Sequence, residues 1–207
     1  MPLIDHLLDK LSGVPLTSVA VVCNRRFETE FRRWQPAHVE LVVNEAMDNE
    51  TRLGAIGDLA LALGASPQED MLVAAADNLF EFSLSGFVDH FSASRRSTVC
   101  VWHNADEADR RRRGNAIVGA GDELLSFAEK PPEPQSSWSS APLYAYRAED
   151  AARVHEFLRE GGNPDAPGHF VAWLCRQRPM QVYKLAAPPL DIGNHESLAA
   201  ARARLGP

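Results

Sequence analysis

From Ser18 onward the chain returns repeatedly to one device: a short apolar run, then residues spaced for a helix face. Ser18–Cys23 (SVAVVC) opens the series, followed by His38–Val43, Met71–Ala76, Thr98–His103, Leu143–Tyr146 and Gln181–Leu185. Short runs rich in Val, with little alternation of polar residues, mark strands buried on both faces. Between them, Phe27, Phe31 and Trp34 define a helix face that Pro36 ends. Arg52–Leu63 reads as helix despite Gly54 and Gly57, and Leu84–Phe91, Ala151–Leu158, Pro167–Cys175 and Glu196–Leu205 read likewise. The chain starts with a further helical face, Leu3, Ile4, Leu7, Leu8 and Leu11, with Pro2 at its head. Glu107–Arg113 is a short charged helix or turn, and Pro131–Ser140 is a Pro/Ser/Trp loop. A hairpin is expected where Ile117–Val118 and Leu124–Phe127 flank the Gly-rich turn Gly119–Asp122. Strands alternating with helices predict one α/β domain over residues 1–207, with a Rossmann-like, mostly parallel sheet flanked by helices.

Composition excludes several other classes. Lys+Arg 21 against Asp+Glu 28 gives a net charge of −7, so there is no global basic field for nucleic acid. Cys23, Cys100 and Cys175 are odd in number and widely spaced, with no Cys/His cluster for zinc. They read as buried thiols of a reducing compartment. The start, MPLIDHLLDK, is unlike a signal peptide, and no apolar stretch is long enough to span a membrane. A cytoplasmic protein is expected.

In open α/β sheets, ligands bind beyond the carboxyl ends of the strands. Two acids fall there by pattern: Asp77 after MLVAAA, and Asp191 after VYKLAAPPL. Two converging carboxylates suit Mg²⁺ with phosphate ligands, because that ion takes oxygen donors and keeps several waters. Each acid also has a plain reading as a turn or cap residue. Glu129-Lys130-Pro131 follows the strand over 123–128; its Glu could accept from sugar hydroxyls and its Lys could pair with a phosphate, or the two could form a surface ion pair. Arg110–Arg113 reads first as a solvated face balanced by Asp106, Glu107 and Asp109, with phosphate binding as the alternative. His195 reads as a cap or surface residue, and no P-loop, GxGxxG or defensible Ser/His/Asp order is present.

Taken together, PLIDHLLDKL (2–11), RLGAIGDLALAL (52–63), MLVAAADNLFEFSLSGFVDHF (71–91), FAEKPPEP (127–134), NPDAPGHFVAWL (163–174) and DIGNHES (191–197) resemble the sugar-1-phosphate nucleotidyltransferases, especially glucose-1-phosphate thymidylyltransferase-like enzymes. The segments stand in that family's order and span nearly the whole chain. The resemblance implies that a sugar 1-phosphate attacks the α-phosphate of a nucleoside triphosphate, giving an NDP-sugar and pyrophosphate. It implies Asp77 and Asp191 as Mg²⁺ ligands, Glu129 on sugar hydroxyls and Lys130 on the sugar phosphate. Gly54 would allow close approach of the base, and Gly114 would face the sugar.

The chain also departs from that pattern. The family's first strand and Gly-rich loop, which cradle the triphosphate, precede the segment matched here by Pro2–Leu11. An N-terminally truncated fold is therefore expected, with a gap in the sheet to be filled by rearrangement, a homodimer or a partner chain. Ala76 stands where Gly usually precedes the metal Asp, Arg113 where Tyr precedes the sugar-contacting Gly, and Pro189-Leu190 where Trp-Tyr precedes Asp-Ile-Gly. Near Ala141-Pro142 a usual strand Gly is replaced. Two readings follow: a nucleotidyltransferase, or a non-catalytic relative that binds nucleotide or sugar phosphate or serves as partner subunit of a complete enzyme.

Overall fold

The apolar runs build two separate sheets. In this computed structural model, residues 2–65 and 69–205 are described. Helix α1 (Leu3–Leu11) leads to strand β1 (Val19–Asn24), α2 (Glu28–Trp34) and β2 (Val39–Asn44). β1 and β2 pair in parallel, from Val19 opposite Val39 to Asn24 opposite Asn44. Helix α3 (Ala55–Ala65) packs on both strands and carries the chain to β3 (Met71–Ala74).

The larger sheet contains β3, β5 (Thr98–His103), β6 (Gly114–Val118), β7 (Leu124–Glu129), β8 (Trp138–Tyr146) and β9 (Gln181–Leu185). β9 runs parallel to β5, but β8 is antiparallel to β5, β3 and β6, and β6 is antiparallel to β7. The sheet is thus mixed and not mostly parallel as the alternation suggested. The cause is β8. It reaches back to Trp138, takes in Ser139–Ser140 and Pro142, and returns antiparallel where Pro131–Ser140 reads as loop. A β-bulge between Val99 and Val101 accommodates this irregular strand.

Both faces of β5 are covered, so its residues alternate between two cores. Val99 and Val101 join Ile56, Phe157 and Phe170 on one face; Cys100 and Trp102 join Leu84, Phe87 and Leu143 on the other. The first core is closed by α7 (Val154–Arg159) and α8 (Pro167–Leu174), which follow α6 (Ala148–Ala151); the second by α1 and α4 (Ser85–Ser94). Asp150 is a buried polar pin: its carboxylate accepts from the Ser97 hydroxyl (2.6 Å) and from Arg178 Nε (3.0 Å).

β1 and β2 contrast with β5. Val19, Val21 and Val22 are only half-buried. Among the described residues, β1 pairs with β2 alone and β3 with β8 alone, so each has one edge without a strand. Thr17, just before β1, donates its hydroxyl to the Glu69 carboxylate, just before β3 (2.7 Å). The two strands therefore start side by side without pairing.

Candidate active site

Two short strands bring the acids together. β4 (Asn78–Leu79) and β10 (Leu190–Asp191) form an antiparallel ribbon in which Asp191 lies opposite Asn78. The Ile192 N–H donates to the Asp77 carbonyl (2.8 Å), which fixes the two acidic residues as neighbours across the ribbon. Asp77 itself lies in the turn after β3, and its carboxylate accepts from Asn78 Nδ2 (2.7 Å). Asn78 is buried, and its Oδ1 has no hydrogen-bond partner. Both acids remain exposed, as groups that meet a ligand must be. Among the described residues no cluster of three or more His, Cys, Asp and Glu could hold a metal, so a cation here would rely on this pair plus waters or phosphates.

The hairpin β6–β7 carries the second group. Gly114 is paired with Glu129, and the Lys130 N–H donates to the Arg113 carbonyl (3.2 Å). Lys130 has φ +46°, a left-handed conformation that a non-glycine residue adopts at a cost of about 1–3 kcal/mol, and it is exposed. Glu129 is half-buried beside α8. Burial pushes its carboxyl up from the usual range; Lys130 pulls it down and Asp165 pushes it up. Gly168, in the first turn of α8, is needed there because a side chain would run into the Glu129 carboxylate. Gly114 is buried, and the space where its side chain would be is filled by Phe127 and Ser140.

Gly54 lies just ahead of α3 with φ +77°. A Cβ there would meet the Pro164 carbonyl oxygen at 2.5 Å. The Ile56 N–H donates to that same carbonyl (2.9 Å), so glycine lets the start of α3 dock on the loop before α8. Its packing requirement is met by protein backbone.

The four-arginine run divides. Arg111 pairs with Glu107 (2.8 Å) on the solvated side of α5 (Glu107–Arg110), and Arg110 Nη1 donates to the Asn104 carbonyl (2.8 Å). Arg113 is different. Its Nε donates to Asp109 (2.7 Å), its guanidinium carbon stands 5.2 Å from the centre of the Trp102 ring, and its Nη1 lies 3.4 Å from Asp191 Oδ2. Burial tends to raise the Asp109 carboxyl, but hydrogen bonds from Arg113 and Asn104, with the Arg113 charge, hold it below the usual range. The sequence reads the whole run first as a solvated face, with phosphate binding as the alternative; the signal that singles out Arg113 is its i,i+4 spacing from Asp109, directly ahead of Gly114.

A third polar group sits at the carboxyl ends of β1 and β2 and was not anticipated. Asn44 is buried, donates to Asn24 Oδ1 (3.0 Å) and Asp58 Oδ1 (2.5 Å), and accepts from the Ala46 N–H (2.9 Å). Partial burial raises the Asp58 carboxyl, and the Asn44 hydrogen bond lowers it. The thiols stand outside this chemistry: all three are unbridged, and burial raises each, most of all Cys100. Asn194 supplies the turn that starts α9 (His195–Leu205), its Oδ1 accepting from the Ser197 N–H (2.8 Å); the His195 side chain, read from the sequence as a cap or surface group, lies outside what the structure describes.

A helix-flanked mixed sheet, with acids and a Glu-Lys turn where strands end, defines an α/β architecture. The chain belongs to the nucleotidyl transferase family, whose model matches residues 1–206. Solved structures agree on the fold. A glucose-1-phosphate thymidylyltransferase from Bacillus anthracis, in complex with sucrose, superposes with a TM-score of 0.82 at 19% identity, covering 98% of this chain and 82% of that one. A UDP-glucose pyrophosphorylase from Acinetobacter baumanii gives 0.76 at 17% identity, covering 99% and 82%. An apo UDP-glucose pyrophosphorylase gives 0.78 at 14% identity, covering 98% and 88%. No curated protein sequence matches the chain. No helix among the described residues is long and apolar enough to cross a membrane.

Proposed function

We propose that this protein is a sugar-1-phosphate nucleotidyltransferase, working where nucleoside triphosphates are made, in the cytoplasm. The observation that carries this reading is the joining of the two predicted groups. The Asp77–Asp191 ribbon and the Glu129-Lys130 turn meet through Arg113, which touches Asp191 with its side chain and Lys130 with its backbone.

In the proposed reaction a phosphate oxygen of a hexose 1-phosphate attacks the α-phosphorus of a nucleoside triphosphate. A new P–O bond forms, the bond to the β-phosphate oxygen breaks, and pyrophosphate leaves. Glu129 accepts hydrogen bonds from sugar hydroxyls, and Lys130 neutralises the sugar phosphate, so the nucleophile is held in one orientation. Gly54 and Gly114, proposed from the resemblance to lie beside the base and the sugar, have packing reasons of their own against Pro164 and against Phe127 and Ser140. Asp77 and Asp191 are exposed oxygen donors next to the orphaned Asn78 Oδ1, a donor set that fits Mg²⁺. When bound, that ion would neutralise charge on the phosphates.

The edges of β1 and β3 that carry no strand among the described residues favour a second reading, in which a different partner chain supplies a strand and completes the triphosphate side. One experiment separates the two. The protein is mixed with Mg²⁺, a panel of nucleoside triphosphates and a panel of sugar 1-phosphates, and pyrophosphate is measured, with Asp77→Asn as control. Sugar-dependent release that vanishes in the variant supports catalysis by this chain alone. No release from folded protein sinks that reading and leaves the partner-dependent one.

A further inference from the structure

We infer that Arg113 is a phosphate-binding residue of the acceptor site and that, before ligand binds, it occupies Asp191 as a tethered counter-ion. The inference rests on the transferase reading above and adds a residue to it.

The guanidinium is held from two directions. Asp109 Oδ2 accepts from Nε at 2.7 Å, and the Trp102 ring lies 5.2 Å away. Asp109 is itself fixed, because Asn104 Nδ2 donates to it (2.9 Å) and to the Ser139 hydroxyl (3.0 Å), and both Asn104 and Ser139 are buried. Rigid core therefore aims this side chain. What remains is the Nη edge, the part of the fork that best matches a phosphate. It points at Asp191. The contact to Asp191 is long, at 3.4 Å, and the Asp191 side chain is 45% exposed. A pair of this kind contributes little and is readily exchanged. A phosphate carries more charge than a carboxylate and offers several oxygens, so it displaces Asp191 from Arg113. Asp191 is then released for a cation.

The placement also explains why an arginine works where the resembling enzymes carry Tyr. Its backbone carbonyl accepts from the Lys130 N–H, so the two cationic residues are backbone neighbours. Arg113 beside Asp191, with Lys130 one backbone contact away, is the arrangement proposed to take a phosphate, leaving Asp191 to a cation.

The inference predicts effects of opposite sign in two metal-free or phosphate-free titrations. Arg113→Gln is expected to weaken binding of inorganic phosphate alone, without metal, by about tenfold or more. The same variant is expected to bind Mn²⁺ alone a few-fold more tightly, because Asp191 loses its competing cation. Arg113→Lys, which keeps charge but loses the fork, falls between wild type and Gln in the phosphate titration. Calorimetry reads the phosphate, paramagnetic resonance reads Mn²⁺, and circular dichroism checks the fold. If Arg113→Gln does not fold, Asp109→Asn loosens the same guanidinium and should shift phosphate affinity in the same direction by a smaller factor. Unchanged phosphate affinity in these variants, or Mn²⁺ binding no tighter than wild type, overturns the inference while the transferase reading stands on glucose 1-phosphate binding by the wild type. Wild type that binds neither inorganic phosphate nor glucose 1-phosphate overturns both.

Discussion

The six-stranded sheet and the β1–β2 pair are built from equally apolar sequence but sit in different surroundings. In β5 every residue from Thr98 to Trp102 is buried, with strands on both edges and helices on both faces. In β1 only Cys23 is buried, one edge has no strand among the described residues, and α3 links the pair to the rest. Val-rich composition makes a strand; it does not say how many neighbours the strand has. Of the residues proposed to hold the sugar phosphate, Glu129 ends β7 of the six-stranded sheet, and Lys130 and Arg113 adjoin the β6–β7 pair.

Gly54→Ala tests how the two regions are joined and should have the largest effect. It places a side chain at φ +77° and 2.5 Å from the Pro164 carbonyl oxygen, a backbone atom that cannot swing aside. We expect a loss of about 3 kcal/mol or more, from left-handed strain plus overpacking, read by denaturant unfolding. A next comparison sets Leu143→Ala against Val21→Ala. Leu143 is fully buried, and its truncation should cost about 2–5 kcal/mol. Val21 is half-buried, so its truncation should cost about 1 kcal/mol or less. Equal losses would mean that β1 is as enclosed as β8 and would end the contrast.

The smallest effect concerns pH. The Glu129 carboxyl is raised in the fold, mainly by burial. Below its unfolded pKa it is protonated in both states and has no influence on stability. As pH rises from the unfolded pKa to the raised folded one, the unfolded chain ionises first and the fold loses stability, a loss complete once pH has passed the folded pKa. Glu129→Gln should therefore raise Tm near pH 8 and leave it unchanged near pH 4, while weakening glucose 1-phosphate binding. A variant less stable than wild type near pH 8 would contradict the assignment of burial as the main cause.

Much of this was legible in the residues. Thr98–His103 and Gln181–Leu185 are strands over those bounds, and the Gly-rich hairpin lies where Gly119–Asp122 places it. Direction was not legible, because periodicity records which face a residue takes and not which way its neighbour runs. β8 was hardest: Ser139, Ser140 and Pro142 are turn-formers by composition, yet the first two are buried and the strand passes through all three. Asp77 and Asp191 were found as acids after apolar runs, but the ribbon that unites them has two residues per strand, too short for any pattern. Arg113 was hidden by its neighbours, since four adjacent arginines look like one solvated face until the fold turns one of them inward.

Hydrogen exchange resolved along the chain tests the central contrast most directly. The account predicts β5 amides protected by a factor of at least about 10³ relative to the outward-edge amides of β1 and β3, which have no strand to accept from them among the described residues. Uniform strong protection across Val19–Asn24, Met71–Ala74 and Thr98–His103 in the isolated protein would contradict it, and would mean that the free edges are already covered.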